Sequence, residues 1–332
     1  MRAIVYTRDG VLTEVDLPAP EPRAGEVRVR VGVSGVNPAD WKNRQRYSGT
    51  AAVVPHQDGG GVIDAVGEGV DPGRIGQRVW LWETARQRCG GTAQEFVAVP
   101  EANAVEIPDG VSLAAGACLG VPAITAHRCL TCAENGPALL SPGALAGRTI
   151  LVAGGAGAVG HAAIQLGRWS GATVITTVST PDKAALASAA GAHTVVNYTT
   201  EDAGNLIRDV APHGVDIIVE VAPHANAALD QEVLAPGGTV AVYSGRVSGP
   251  VPVEIGPAMA ANARWQFVSV FTINDKAKSS AVEAVTAAVA GGILPVGVEA
   301  GLPLHHFPLH RTNDAHEAVE QGAIGKVLVD VA

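Results

Sequence analysis

Three glycines spaced Gly155-x-Gly157-x-x-Gly160, inside Ala153-Gly154-Gly155-Ala156-Gly157-Ala158-Val159-Gly160, have the types and spacing to hold a pyrophosphate. Gly155 would permit the tight turn, Gly157 the close approach of backbone to phosphate, and Gly160 close helix–strand packing. Ala156, Ala158 and Val159 complete the same cofactor-binding turn. With 40 glycines in the chain such patterns arise by chance, and a glycine-rich structural turn is the alternative. The flanks favour binding. Thr149-Ile150-Leu151-Val152 reads as a strand and His161-Ala162-Ala163-Ile164-Gln165-Leu166 as a helix, whose N-terminus would meet the phosphates.

The next strand ends in Thr177-Val178-Ser179-Thr180-Pro181-Asp182-Lys183. An NAD site usually places a carboxylate there, on the ribose 2′-hydroxyl. Ser179 offers a hydroxyl instead, and Lys183 adds a cation about one helical turn later. Asp182 is expected to point elsewhere. Tyr198, after Val195-Val196-Asn197, brings a phenol towards the same place. Together they favour a 2′-phosphate and hence NADPH. A solvated lysine and a tyrosine packed on the adenosine edge are the structural alternatives.

These residues need a parallel sheet to carry them. Helical, alanine-rich stretches alternate with Thr173–Val178, Thr194–Val196, Val215–Val219 and Gly238–Val242, the pattern of a sheet covered on both faces. Before residue 112 the texture differs. Val27–Val31, Gly61–Val66, Arg78–Trp82 and Glu95–Val99 are short strands between turns, which suggests a small β-rich, barrel-like unit. The alternation changes again near residue 262, and Gly325–Val329 reads as a terminal strand.

The 332 residues are enough for about two domains. Apolar residues make up 47% and charged residues 17%, a globular balance. A net charge of −9 without a dense basic run argues against nucleic acid as a partner. Four cysteines are too sparse for a disulfide framework. The chain enters a strand-like pattern at once, and no 18-residue apolar run appears, so a soluble cytoplasmic protein is expected.

Taken in order, several segments resemble the zinc-independent quinone oxidoreductase, zeta-crystallin-like, branch of the medium-chain dehydrogenase/reductase superfamily. They are Val36-Asn37-Pro38-Ala39-Asp40-Trp41-Lys42, the glycine-rich Pro55–Gly67, Gly76-Gln77-Arg78-Val79-Trp80, Val121-Pro122-Ala123-Ile124-Thr125-Ala126, the Ala153–Gly160 turn and Gly325-Lys326-Val327. The Lys183–Tyr198 spacing also matches that family. The resemblance implies an α/β protein: a GroES-like β-rich catalytic domain from residues 1–120 and 262–332, around a Rossmann doubly wound parallel-sheet domain at 121–261 that binds NADPH. It further implies a nicotinamide and substrate cleft between them, and a homodimer or homotetramer. Trp265–Thr272 would be an intersubunit strand or an internal core strand.

By the same resemblance Thr125 contacts the nicotinamide, with a helix N-cap as the alternative, and Lys326 belongs to the cofactor set. Val221, Tyr243 and Ser244, in the loops Glu220-Val221-Ala222 and Tyr243-Ser244-Gly245, follow later strands and are expected to touch the cofactor. Asn37 would donate its amide to the substrate oxygen or bind the nicotinamide ribose; a turn-forming asparagine before Pro38 is the structural reading. Tyr47 would donate its phenol or line the cleft. Asp40 and Lys42 form either a structural ion pair or a proton relay. Lys42 stands where several quinone reductases carry tyrosine, which leaves the substrate open.

No metal is expected. A catalytic zinc needs three protein ligands and an open position. Asn37 stands where the zinc relatives have a cysteine and Gln57 where they have a histidine, while His56 lies one residue early. Cys129-x-x-Cys132 lacks a second pair and sits in an expected helix, and His305, His306 and His310 follow a loop-like stretch. Without a Lewis acid, hydride transfer to a quinone or an α,β-unsaturated carbonyl compound is the less demanding reduction. A biosynthetic enoyl reductase and a non-catalytic NADPH-binding protein with a structural or RNA-binding role are the rivals.

Overall fold

A computed structural model describes residues 1–244 and 249–331. Strands β1 (Arg2–Val5), β2 (Thr13–Asp16) and β3 (Glu26–Val36) lead into helix α1 (Pro38–Arg46). β4 (Asp58–Val66), β5 (Arg78–Leu81), β6 (Phe96–Pro100) and β7 (Ala104–Glu106) follow, then α2 (Leu113–Gly116) and α3 (Gly120–Thr131). An alternating series comes next: β8 (Thr149–Ala153), α4 (Ala158–Trp169), β9 (Thr173–Val178), α5 (Pro181–Ala189), β10 (Thr194–Asn197) and α6 (Ala203–Val210). It continues through β11 (Val215–Glu220), α7 (Pro223–Val233), β12 (Leu234–Val242), α8 (Ile255–Ala260) and β13 (Arg264–Phe267). The chain closes with α9 (Asp275–Ala290), β14 (Leu304–Pro308), α10 (Thr312–Glu320) and β15 (Lys326–Asp330). Among the described residues no helix is long and apolar enough to cross a membrane.

These elements form two compact units, Met1–Val121 with Pro303–Ala332, and Pro122–Leu302. The first is built on a seven-stranded sheet in the order β14-β15-β3-β4-β5-β7, with β6 also pairing β3. Val27, Val29 and Val31 of β3 are fully buried, while Arg28 between them turns outward to Asp64 at 3.0 Å, as the two-residue period of a strand requires. His305 and His306, which follow the loop-like stretch, lie in β14, which pairs in parallel with β15.

The second unit is a six-stranded parallel sheet in the order β10-β9-β8-β11-β12-β13. Numbered within the unit this is 3-2-1-4-5-6, the doubly wound dinucleotide-binding order. Ile150, Leu151 and Val152 of β8 are buried on both faces, which is why that strand reads as an unbroken apolar run. The second domain boundary differs from the expected 262. Residues 262–302 stay with this unit because β13 extends its sheet, pairing Thr239 to Arg264 through Val242 to Phe267. Of the expected intersubunit segment Trp265–Thr272, only the first part is strand, and it is the sheet's outer strand, with Phe267 64% exposed.

Candidate functional site

In the parallel unit the expected cofactor residues other than Thr125 lie at or just beyond the C-terminal ends of successive strands. The glycine turn follows β8 and opens α4, whose N-cap, Gly157, supplies no side-chain cap. The first-turn N–H groups are therefore not taken by a capping side chain. The left-handed turn residue is Gly154 (φ +72°), not Gly155 as the spacing suggested. A Cβ on Gly155 would lie 2.3 Å from Thr176 Oγ1 of the neighbouring strand, so that glycine serves packing. A Cβ on Gly160 would meet the Gly154 carbonyl at 2.4 Å, whereas the nearest atom for Gly157 is 3.5 Å away. Gly157 is the position left open for a ligand.

Ser179 follows β9, and its Oγ accepts a hydrogen bond from Lys183 Nζ at 2.9 Å. Tyr198 follows β10, its N–H bonding Val178 C=O at 3.1 Å, and 53% of it is exposed. The hydroxyl, the ammonium and an exposed tyrosine thus gather at adjacent strand ends. Val221, after β11, packs towards Gly154, while Tyr243 and Ser244 follow β12. Gly245 lies outside the described residues. Thr125 is buried in the body of α3, which begins at Gly120, so the N-cap alternative is removed.

The first unit builds a buried polar cluster. Asn37 caps α1 ahead of Pro38, and its N–H donates to Asp40 Oδ2 at 2.7 Å, a reciprocal bond that secures the helix start. Its side chain is engaged elsewhere. Lys326 Nζ donates to Asn37 Oδ1 at 2.7 Å, and Asn37 Nδ2 donates to Asp58 Oδ2 at 2.6 Å. Asp58 Oδ1 accepts the Val121 N–H at 2.8 Å, and the Lys326 ammonium stands 3.6 Å from Asp58 Oδ2. All four side chains are nearly or fully buried. Burial pushes Asp40 up to about 7; the Asn37 N–H and Lys326 oppose this, and Asp58 adds to it. Burial also pushes Asp58 up, against Lys326 and its hydrogen bonds.

Lys326 was expected in the cofactor set. Its ammonium is instead buried against Asn37 and Asp58. Lys42 Nζ lies over the Trp41 ring, 5.7 Å from its centroid. Tyr47 ends α1, donates its phenol to Ala51 C=O at 3.1 Å, and packs edge-on against Tyr6 at 5.5 Å.

Asp58, inside the glycine-rich segment Pro55–Gly67 and not among the expected site residues, emerges as the centre of this cluster. The signal was a carboxylate heading a glycine-rich apolar strand. A Cβ on Gly120 would fall 2.1 Å from its Oδ1, so glycine there makes room for it.

A second buried chain runs beside it. Thr92 Oγ1 donates to Asp58 C=O at 2.6 Å and lies 2.6 Å from Ser34 Oγ. Ser34 Oγ is 2.7 Å from His56 Nδ1, and His56 Nε2 is 2.8 Å from His316 Nε2. The carbonyl can only accept, and each hydroxyl has one proton. Thr92 therefore accepts from Ser34, Ser34 from the Nδ1–H of His56, and the bare His56 Nε2 from the Nε2–H of His316. Burial drives His56 well below the usual imidazole range and His316 down to about 3, so both rings are neutral. Gln57 Oε1 accepts the Ala85 N–H at 3.1 Å.

A zinc ion does not fit this donor set. The two candidate ligand positions carry amides already bonded within the protein, and an ammonium stands against one of them. The described residues contain no group of three His, Cys, Asp or Glu side chains able to hold a metal.

Residues 23–109 match the family described as alcohol dehydrogenase GroES-like domain, and residues 158–289 the one described as zinc-binding dehydrogenase. A quinone oxidoreductase of Rattus norvegicus is 32% identical over 95% of this chain and 92% of its own length. A mycobacterial protein solved with NADPH is 28% identical, with a TM-score of 0.80 and 99% of each chain covered. A solved NAD-dependent alcohol dehydrogenase is 26% identical, with a TM-score of 0.83 and full coverage of both chains.

Proposed function

This chain belongs to the quinone oxidoreductase family of the medium-chain dehydrogenases and reductases and is an oxidoreductase; from that premise we propose that it is an NADPH-dependent, zinc-independent reductase of quinones or α,β-unsaturated carbonyl compounds. The observation that carries the reading is the gathering of the open Gly157 turn, Ser179, Lys183 and Tyr198 along one edge of the parallel sheet. Ligands of open α/β sheets bind at that edge, outside the carboxyl ends of the strands.

The residues present fit NADPH. The uncapped N-terminus of α4 suits the pyrophosphate, and Lys183 with Ser179 and Tyr198 suits a ribose 2′-phosphate where NAD enzymes place a carboxylate. When bound, the cofactor supplies a hydride. Quinones and conjugated carbonyls spread the incoming electron pair onto an oxygen, which then needs only hydrogen-bond donors and a proton. Asn37 retains one amide hydrogen beyond that given to Asp58, and the Lys326 ammonium on its carbonyl polarises the amide and favours donation. Asp58 and Lys326 fix the amide's orientation. We further take the protein to be cytoplasmic and a homodimer or homotetramer, with the outer strand β13 as a contact.

The test is NADPH oxidation across a panel of quinones and enones, with and without a chelator. Saturable turnover unaffected by the chelator is expected. No turnover with any acceptor overturns the enzymatic reading, and loss of activity on chelation overturns the metal-free one.

A further inference from the structure

One face of α4 is tied to a stretch of chain that also rests on α5. His161 ends the first turn of α4, its N–H bonding Gly157 C=O at 2.8 Å, and Gln165 lies about one helical turn further along. Positions four apart share a helix face, and both side chains reach the same segment. His161 Nε2 stands 2.8 Å from Ala300 C=O, and Gln165 Nε2 donates to Pro295 C=O at 3.3 Å. Both side chains are buried. A carbonyl can only accept, so the imidazole carries its proton on Nε2. Burial pushes the ring down to about 4, against the Ala300 carbonyl, so it is neutral and this is its one N–H.

The segment closes into a turn over residues 297–302. Gly297 N–H donates to Leu302 C=O at 2.8 Å, and Leu302 N–H donates to Gly297 C=O at 2.9 Å. Gly297 (φ +107°) and Gly301 (φ +84°) take conformations that favour glycine. The turn also meets α5. A Cβ on Gly301 would fall 2.2 Å from Leu186 C=O and 2.7 Å from Ala190 N, so turn and helix are in direct backbone contact. Leu186 lies about one helical turn beyond Lys183. The 297–302 turn thus touches both α4, which opens at Gly157, and α5, which carries Lys183.

We propose that His161 is a positioning residue for cofactor choice: its bond to Ala300 locks the 297–302 turn against α4 and, through that turn, sets Lys183 at the distance from Gly157 that a 2′-phosphorylated dinucleotide requires. This rests on the NADPH-dependent reading above. A dinucleotide without the 2′-phosphate uses the glycine turn but not Lys183, and is indifferent to that spacing.

The test is titration of the full chain with NADPH and with NADH, for wild type, His161→Leu and His161→Gln, together with amide hydrogen exchange of the cofactor-free proteins. Leucine fills the space without donating, so the NADPH Kd should rise about 5- to 10-fold, the loss of one neutral hydrogen bond, while the NADH Kd stays within about twofold. Glutamine places an N–H donor as many bonds from Cβ as the imidazole Nε2 and should restore NADPH binding. Equal weakening of both nucleotides makes His161 ordinary support for α4 and overturns the proposal. Unchanged NADPH binding by His161→Leu does the same, as does a glutamine variant as weak as the leucine one. Exchange over 297–302 and α5 should quicken in His161→Leu and not in His161→Gln. If wild type does not prefer NADPH, the cofactor reading is what fails, and exchange then judges the link between the helices: equal protection in wild type and His161→Leu overturns it.

Discussion

Lys326 and Asn37 are separated by 289 positions in the chain, yet the Lys326 ammonium donates to the Asn37 side-chain carbonyl across 2.7 Å. The lysine opens the last strand, β15, and the asparagine caps the first helix, α1, at the far end of β3. Antiparallel pairing of β15 with β3, Val327 opposite Val36, brings them together. Asp58 reaches the same point from β4, which flanks β3 on its other side.

Removing the cation should expose the cost of this arrangement. Lys326→Met leaves Asp58 buried without its counter-charge and should destabilise the protein by about 3–5 kcal/mol in chemical denaturation. Adding Asp58→Asn should restore much of that loss. A Lys326→Met protein as stable as wild type would show that the pair is not electrostatically coupled.

Under the proposed NADPH reading, Lys183 carries the cofactor preference. Lys183→Ala removes a charge-assisted contact to the 2′-phosphate, worth about 1.5–3 kcal/mol, and should raise the KM for NADPH roughly 10- to 100-fold. The KM for NADH should move little. Equal weakening of both would remove Lys183 from the phosphate.

The glycines of the turn should separate into packing and binding roles. Gly160→Ala drives a Cβ into the Gly154 carbonyl and should cost about 1–3 kcal/mol of stability. Gly157→Ala meets nothing closer than 3.5 Å in the protein and should fold with a loss of about 1 kcal/mol or less. Its NADPH Kd should nevertheless rise by about tenfold or more. The reverse pattern would assign Gly157 to packing.

The His56–His316 pair should make the fold sensitive to acid. Both imidazoles are depressed in the folded state, His316 to about 3, so their contribution is present above the unfolded value of about 6.5 and is lost as pH falls below it. Urea midpoints should therefore drop as pH is lowered from about 7 towards about 4. His316→Gln, which can still donate to His56, should show a shallower drop. An unchanged slope would place the acid sensitivity elsewhere.

The parallel unit was largely legible because its determinants are local. Unbroken apolar runs mark strands buried on both faces, and the turn at 153–160 follows its strand directly. Ser179, Lys183 and Tyr198 could be named as partners because the first two follow β9 and the third follows β10, and parallel strands bring their ends to one edge. Within that turn, only the backbone revealed that Gly154 takes the left-handed conformation and that Gly155 answers to Thr176 on the next strand. The boundary at 302 was equally hidden. Residues 262–302 belong to the second unit through the pairing of β13 with β12, and nothing in their own composition reports it.

The sequence by itself determined the order of strands and helices, the dinucleotide turn and the amides at positions 37 and 57 where a zinc enzyme needs ligands. Tertiary structure alone decided which polar groups share a buried space. Lys326 with Asn37 and Asp58, and His56 with His316, are each joined by strand pairing or helix packing across stretches of chain that carry no common pattern. Charge and protonation there follow from burial and from the nearest partner, and both are properties of the folded arrangement.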